Sequence, residues 1–213
     1  MKKIVAINAS PRTTWNTAAL VKEAANGAKH EGAEIKYFDL YKLDKFTGCI
    51  SCFGCKLKAT EEICVCNDGL KTVLDEIRTA DGLIIGSPNY LGDLTAGFRA
   101  LYERLIFPYI TYNTEKFNCN DRRIPVALIV TSNASEDYYE ESDYGRMIAN
   151  YKDNLESFIG PTEVMIYGDT LQVSDYSKYN WTYFDSEAKK ARHEAVFESK
   201  KEDAFALGKG LVK

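Results

Sequence analysis

Four cysteines between positions 49 and 64 have the spacing of a metal-binding motif. Cys49, Cys52 and Cys55 follow one another at intervals of three residues, and Cys64 comes after a longer span. The two short steps let three thiolates converge from one turn, and the longer span returns a fourth sulfur to the same point. This arrangement suits an iron–sulfur cluster or a zinc ion held by four sulfurs.

A second group of polar residues, near the start of the chain, has the chemistry of a phosphate-binding loop. Ser10, Thr14, Asn16 and Thr17 offer side-chain donors, and Arg12 adds a fixed positive charge. A helix is predicted to start here, and its first backbone N–H groups are unpaired and lie at the positive end of its dipole. Together these donors could hold a phosphate with little glycine. In the alternative interpretation, Asn16 and Thr17 only cap the helix.

Two nucleotide-binding signatures are absent from this loop. It has neither the lysine pattern of a Walker motif nor a G-x-G-x-x-G sequence. These absences argue against a nucleoside triphosphate site and against the usual dinucleotide fingerprint.

Length and composition exclude several classes of protein. With 213 residues, the chain fits one α/β domain with an excursion. A net charge of −4 argues against nucleic acid as a partner, and no apolar run is long enough to span a membrane. Because the first residues lead straight into an apolar run, we expect no signal peptide and a cytoplasmic protein. In that compartment, six cysteines favour metal ligands or redox groups over structural disulfides.

Strand-like and helical segments alternate along the chain. This alternation requires a parallel sheet with right-handed crossovers. The predicted strands are 3–8, 34–40, 82–86, 124–130 and 162–167, and the predicted helices are 18–29, 69–79, 95–107, 142–158 and 186–209.

The parallel sheet brings the unusual loops together. Loops that follow the carboxyl ends of parallel strands lie at one edge of the sheet, where ligands of open α/β sheets bind. Five strands favour a three-layer, flavodoxin-like sandwich with strand order 2-1-3-4-5, which places the loop after Gly86 beside the phosphate loop. The loops expected at this edge follow Asn8, Leu40, Gly86, Val130 and Gly168.

The phosphate loop resembles that of a known family. Residues 8–17, N-A-S-P-R-T-T-W-N-T, are similar to the first FMN-phosphate loop of the flavodoxin-like NADPH-dependent FMN reductases and iron–sulfur flavoproteins. Ala9 and Trp15 depart from the family, which has small glycines there, and Trp15 could crowd the phosphate or lie over a neighbouring subunit. The matching residues are Ser10, Pro11, Arg12, Asn16 and Thr17.

Two later loops extend the resemblance. Residues 87–90, S-P-N-Y, resemble the family's G-S-P-x-Y element, which implies that this backbone hydrogen-bonds the isoalloxazine and that Tyr90 lies near the ring. Alternatively, Tyr90 is a core or helix-entry aromatic. The third loop matches by position only. The flavin-binding residues implied in these two loops are Ser87, Pro88, Asn89, Tyr90, Leu91, Gly92, Thr131, Ser132 and Asn133.

The cysteine motif also resembles that of the iron–sulfur flavoproteins, in which it ligates a [4Fe–4S] cluster. The resemblance implies that Cys49, Cys52, Cys55 and Cys64 are the ligands. A longer final spacer and the additional Cys66 leave the choice between Cys64 and Cys66 open. Related reductases carry the cysteines without a cluster, so free thiols, a disulfide or zinc are alternatives.

We therefore expect one flavodoxin-like FMN-binding domain over residues 1–213, with a cysteine-rich loop at 41–68 and an aromatic excursion at 169–185. The resemblance implies an oxidoreductase that passes electrons from NAD(P)H or a reduced carrier such as ferredoxin to a flavin, quinone or other small acceptor. The chemistry would take place on FMN, and no protein residue is predicted to be catalytic. The alternatives are a non-enzymatic electron carrier and a zinc-clamped interaction module.

Several other residues carry expectations. His30 and His193 are predicted to be surface or capping residues, and the acidic residues 136–143 to form a solvated loop. The aromatic loops 108–123 and 169–185 are predicted to cover the flavin or to form a contact between subunits of a homo-oligomer.

Overall fold

A computed structural model describes residues 1–58 and 63–213 and contains one mixed sheet. Five strands are parallel, in the spatial order second, first, third, fifth and sixth, and the very short fourth strand pairs antiparallel with the end of the third. The predicted order of the parallel strands is confirmed. The strands are β1 (Lys3–Asn8), β2 (Glu34–Asp39), β3 (Gly82–Tyr90), β4 (Asp93–Leu94), β5 (Val126–Thr131) and β6 (Thr162–Tyr167).

Helices cover both faces of this sheet. Alternate residues of the buried strand β1 face opposite layers: Val5 packs toward the second, third and fifth helices, and Ile4 toward the first and last. None of the helices in the described ranges is long and apolar enough to cross a membrane. The helices are α1 (Asn16–His30), α2 (Leu70–Arg78), α3 (Ala96–Ile106), α4 (Glu136–Glu141), α5 (Asp143–Phe158) and α6 (Ser186–Gly210).

Helices α1 and α6 pack against each other through glycines. A Cβ atom at Gly27 would lie 1.9 Å from the carbonyl oxygen of Phe205, and one at Gly208 would lie 1.8 Å from that of Ala24. Only residues without a Cβ allow this approach of the two backbones. The helix that follows the phosphate loop is therefore seated directly on the last helix.

The prediction of a solvated loop at 136–143 is wrong, because this stretch contains α4. Glu136 and Asp137 lie in its first turn, where negative charge is favourable to the helix dipole. Tyr139 is only 4% exposed, and its hydroxyl accepts a hydrogen bond from Asn89 Nδ2 at 3.0 Å. The acidic composition concealed one buried aromatic residue that joins the helix to the end of β3.

Candidate functional site

The loop between β1 and α1 leaves the first turn of α1 open to an anion. Trp15 occupies the N-cap position, but its side chain makes no capping hydrogen bond and no acidic residue lies in the first turn. Asn16 and Thr17 are the first two helical residues and are buried, and their side chains bond to other loops rather than to the helix end. The unpaired N–H groups of this turn fit a phosphate.

Hydrogen bonds within the loop fix its course. Asn8 Oδ1 accepts from the backbone N–H of Ser10 at 3.0 Å, and Asn8 Nδ2 donates to Asp39 Oδ1 at 2.8 Å. Ser10 Oγ in turn accepts from the N–H of Arg12 at 3.1 Å. The turn is thus set by Asn8 and by the end of β2, and needs no glycine.

The second loop is held against the first by Thr95, the N-cap of α3. Its hydroxyl donates to the carbonyl of Ala9 at 2.7 Å and accepts from the N–H of Phe98 at 3.2 Å. Its own N–H donates to Ser87 Oγ at 3.1 Å. Ser87 is fully buried in this network, so it supports the loop from behind.

The three loops meet at one open cavity of about 260 Å³ beyond the carboxyl ends of β1, β3 and β5. Thr17 and Thr131 join the first and third loops through a hydrogen bond between their hydroxyls, 2.7 Å long. Predicted residues from all three loops line the cavity: Ser10, Arg12, Asn16, Thr17, Pro88, Asn89, Tyr90, Thr131, Ser132 and Asn133.

Four residues predicted to bind flavin lie outside the lining: Thr14, Ser87, Leu91 and Gly92. Thr14 is exposed. Leu91 and Gly92 have φ angles of 57° and 83° and form the two-residue turn of the β3–β4 hairpin. Positive φ at both positions is the geometry of the turn that best suits such a hairpin. Their role here is to turn the chain back beside Tyr90.

Two parts of the cavity wall lie outside the predicted flavin-binding residues, Trp15 and residues 170–172. The sequence marks Trp15 as a departure from the family that could crowd the phosphate or lie over a neighbouring subunit. It lies beside the first loop, where its indole N–H donates to the carbonyl of Leu171 at 2.9 Å. Segment 170–172 follows β6 at the carboxyl edge and belongs to the aromatic loop 169–185, which is predicted to cover the flavin or to form a subunit contact.

The predicted metal ligands lie together in a second cavity. Cys49, Cys52, Cys55 and Cys64 line it with Cys66 and Arg104. Ser51 and Phe53, on either side of Cys52, both have φ of 56°. Left-handed backbone at non-glycine residues is costly and typical of functional loops. Part of the span between Cys55 and Cys64, residues 59–62, lies outside the described residues.

Arg104 of α3 forms hydrogen bonds with residues near both ends of this loop. The residue is 2% exposed, and its guanidinium donates from Nε to Cys64 Sγ at 3.3 Å. Nη1 bonds both carboxylate oxygens of Asp68 at 2.8 and 2.6 Å and the carbonyl of Thr47 at 3.1 Å. Nη2 donates to the carbonyl of Cys66 at 2.9 Å. Residues from both ends of the loop thus converge on one buried cation.

Burial and charge act on the titratable groups of this loop. Burial raises the pKa of the Cys55 thiol and that of the Cys66 thiol. Burial also acts to raise the pKa of Asp68, but hydrogen bonds from Arg104 and from two backbone N–H groups outweigh it and lower that pKa. Asp68 is therefore a carboxylate at neutral pH and balances the charge of Arg104.

The donor set in this cavity consists of thiols. Among residues 1–58 and 63–213, no three His, Cys, Asp or Glu side chains are arranged to hold a single metal ion. Several thiols around one cavity suit a cluster of several iron atoms, because each iron would bind the thiolate of a different cysteine.

The two histidines lie away from both cavities. His30 is exposed and pairs with Glu31 at 3.2 Å, as expected for a surface residue. His193 is half-buried, with its ring stacked on Phe197 at 4.4 Å, and burial lowers its pKa. His193 therefore lies partly exposed on α6, where it packs as an aromatic residue against Phe197.

A parallel sheet of this order, with a cavity between the loops that follow β1, β3 and β5, is that of the flavodoxin-like proteins. Residues 2–136 match the NADPH-dependent FMN reductase family. The chain belongs to that family.

Curated relatives match over the first part of the chain. An iron–sulfur flavoprotein of Methanocaldococcus jannaschii is 36% identical over 102 residues, which cover 48% of this chain and 51% of the relative. An iron–sulfur flavoprotein of Methanosarcina thermophila is 29% identical over 104 residues, or 49% of this chain and 52% of the relative. The chain thus spans about half the length of the curated relatives it matches.

Solved structures match over the whole chain. An NAD(P)H:quinone oxidoreductase from Methanothermobacter marburgensis superposes with a TM-score of 0.74 at 13% identity, over 100% of this chain and 98% of that one. An azoreductase from Bacillus anthracis gives a TM-score of 0.68 at 15% identity, over 99% and 100%. At such low identities these likenesses show a shared fold.

Proposed function

We propose that this chain is an FMN-dependent oxidoreductase that passes electrons from NAD(P)H or a reduced carrier, such as ferredoxin, to a flavin, quinone or other small acceptor. One observation carries the proposal: the three loops that match the flavin-binding loops of the family line one cavity at the carboxyl edge. The uncapped start of α1 supplies that cavity with donors for a phosphate.

Different residues of the cavity would hold the phosphate and the ring system of FMN. The N–H groups of the first turn of α1 and the hydroxyl of Ser10 would hold the phosphate. Asn89 is fixed by its bond to Tyr139, so the end of β3 can present its backbone and Tyr90 to the ring system. Bound FMN would supply the hydride and single-electron chemistry.

The charge of the lining suits chemistry that the cofactor performs. Within the part of the chain that the structure describes, Arg12 is the only charged residue of the lining, which holds no Asp, Glu, His or Lys. Such a wall can bind and orient a flavin and its partner, but it supplies no acid or base. The roles left to the protein are binding, orientation and shielding from water.

We further propose that Cys49, Cys52, Cys55 and Cys64 hold a [4Fe–4S] cluster. The thiols line a common cavity, and the Arg104 side chain donates a hydrogen bond to Cys64 Sγ, as suits a thiolate. When present, the cluster would carry single electrons. Free thiols and a zinc site are the competing states of this loop, and metal analysis distinguishes the three.

The first experiment is an absorption spectrum of protein purified without oxygen, with iron and zinc analysis of the same sample. We expect the two structured bands of a flavin above the broad shoulder of a cluster. Protein that neither retains flavin nor binds added FMN would contradict the proposal. Zinc without flavin would support an interaction module in its place.

Turnover separates the enzyme from an electron carrier. We expect NADH or NADPH to be oxidised faster with holoprotein and a quinone than with free FMN and the same quinone. Bound flavin without any such oxidation would support the carrier.

A pair of variants tests the position of the phosphate. Ser10→Ala should weaken FMN binding, because Ser10 lines the cavity and its hydroxyl accepts from the N–H of Arg12 in the loop. Thr14→Ala is the matched control and should leave the affinity unchanged, because Thr14 is exposed outside the lining. An equal loss in both variants would place the phosphate elsewhere in the loop.

The homo-oligomer stays a prediction with one structural argument in its favour. Tyr179, Trp181 and Tyr183 of the aromatic excursion are 45%, 44% and 94% exposed. Aromatic residues are enriched at protein interfaces. Sedimentation at several concentrations measures the state, and a monomer throughout would contradict it.

A further inference from the structure

Segment 170–172 is firmly attached to the third loop. The backbone N–H of Thr170 and its hydroxyl both donate to the carbonyl of Ser132, at 2.9 and 3.0 Å. The N–H of Asp169 donates to the carbonyl of Ala134 at 2.8 Å, and its carboxylate bonds Lys189 of α6. The segment therefore has a fixed place in the wall of the cavity.

In this position, the segment accepts hydrogen bonds from side-chain donors of the phosphate loop. The carbonyl of Leu171 accepts from Trp15 Nε1 and from Asn16 Nδ2, both at 2.9 Å. The carbonyl of Gln172 accepts from Arg12, whose guanidinium also lies over the Trp15 ring, 5.4 Å from its centroid. Trp15 thus ties the loop to Leu171, and Arg12 ties it to Gln172.

These hydrogen bonds leave fewer side-chain donors of the phosphate loop free to bind an anion. The side-chain amide of Asn16 and one nitrogen of Arg12 already have carbonyl partners. A phosphate in the cavity would meet the N–H groups of α1 and Ser10, and would gain from a further donor in segment 170–172.

Gln172 has such a donor. The hydroxyl of Tyr176 accepts from the backbone N–H of Gln172 at 3.0 Å and donates to its side-chain oxygen at 2.5 Å. This fixes the amide, because the reversed amide would leave the Tyr176 proton without its acceptor. The nitrogen Nε2 is buried and has no hydrogen-bond partner among residues 1–58 and 63–213, and the residue lines the same cavity. Leaving such a donor unpaired costs about 1–3 kcal/mol.

We infer that segment 170–172 is a fourth wall of the FMN site and that Gln172 Nε2 donates a hydrogen bond to a phosphate oxygen of the ligand. The inference rests on the proposed function. It favours the phosphate end over the ring end because the carbonyls of Leu171 and Gln172 bond residues of the phosphate loop, Arg12, Trp15 and Asn16. Tyr176 serves as the residue that positions the amide.

The test compares FMN with riboflavin, which lacks the phosphate, in titrations of flavin-free protein followed by flavin fluorescence. Gln172→Glu keeps the oxygen that bonds Tyr176 and replaces the donor with a negative charge. We expect its Kd for FMN to rise at least about tenfold, as for the loss of one hydrogen bond to a charged group. The Kd for riboflavin should change by less than about threefold, since little charge is involved.

Two further variants complete the design. Gln172→Met removes the donor without adding charge and should also weaken FMN more than riboflavin. Ser174→Ala, an exposed position two residues on, is the matched control and should change neither Kd. Thermal unfolding of each variant confirms that it is folded.

The outcomes separate the inference from the proposed function. Wild-type protein that binds FMN, with unchanged affinity in both Gln172 variants, would overturn the inference alone. Equal losses for FMN and riboflavin would overturn the assignment to phosphate. Wild-type protein that binds neither flavin would overturn the proposed function and this inference with it.

Discussion

The phosphate loop and the cysteine loop follow neighbouring strands, β1 and β2, and are held in opposite ways. The first is held by many hydrogen bonds, most of them between neutral groups such as Asn8, Thr95 and the carbonyl of Leu171. The second converges on one buried cation, Arg104, and its carboxylate partner Asp68. Distributed neutral bonds tolerate the loss of one member, whereas a buried ion pair does not.

The largest expected effect is in the cysteine loop, and it tests whether Cys64 or Cys66 is a ligand of the cluster. Cys64→Ala should abolish the cluster shoulder and most bound iron, while Cys66→Ala should keep both. The reason is that Cys64 Sγ accepts from Arg104, whereas Cys66 Sγ lies 3.8 Å from the Asp68 carboxylate, which repels a second thiolate. Iron analysis after anaerobic reconstitution measures this, and the reverse pattern would make Cys66 the ligand.

The next effect is on stability. Arg104→Met should lower the free energy of unfolding by about 3–5 kcal/mol, because it leaves Asp68 partly buried without its cation. Adding Asp68→Leu should restore part of that loss. Urea unfolding measures both, with Lys71→Met as control, since its exposed pair with Asp75 is worth about 0.5 kcal/mol or less. A loss no larger than that of the control would remove the contrast between the two loops.

Asp81, at the opposite edge of the sheet from both loops, provides an exposed ion pair for comparison. Its contribution to the free energy of unfolding depends on pH. The backbone N–H of Lys3 and the guanidinium of Arg122 lower its pKa in the folded state. Its contribution is therefore present above the unfolded pKa of about 3.9 and is lost as the pH falls through the lower folded value. Asp81→Asn should cost about 0.5–1 kcal/mol at pH 7, because solvent screens a side chain that is 39% exposed.

The difference between wild type and Asp81→Asn should shrink as the pH falls below about 4. Unfolding midpoints measured at several pH values test this, and a difference that grows in acid would contradict it.

The smallest effect concerns the hairpin beside the cavity at the carboxyl edge of the sheet. Leu91→Asn should raise the free energy of unfolding by about 0.5–1 kcal/mol, because Asn tolerates positive φ better than Leu. Leu91 is fully exposed, so little burial is lost. Thermal unfolding tests this, and a lower midpoint would show that Leu91 makes a contact in solution.

Much of the fold was predictable because hydrophobic patterning and the rules for parallel sheets act locally. The alternation of strands and helices predicted a parallel sheet, and the parallel strands bring the loops after β1, β3 and β5 to one edge. The structure moves one predicted boundary there: β3 runs on to Tyr90, so the S-P-N-Y element is the end of a strand rather than a loop.

What escaped prediction depends on contacts between distant residues. Nothing around Arg104 in the sequence marks it as buried, because its partner Asp68 lies 36 positions away. Trp15 bonds the carbonyl of Leu171 across 156 positions, and Arg12 bonds that of Gln172 across 160. Such pairings follow from tertiary packing, so a local pattern carries no trace of them.

The contact between α1 and α6 has a consequence for how the protein can vary. Because Gly27 and Gly208 let the two helices touch, any side chain at either position would push α1 away from α6. The start of α1 would move with it, and the Trp15 and Asn16 bonds to Leu171 would lengthen. Gly27 and Gly208 do not line the cavity, but through this contact they determine where the first turn of α1 lies.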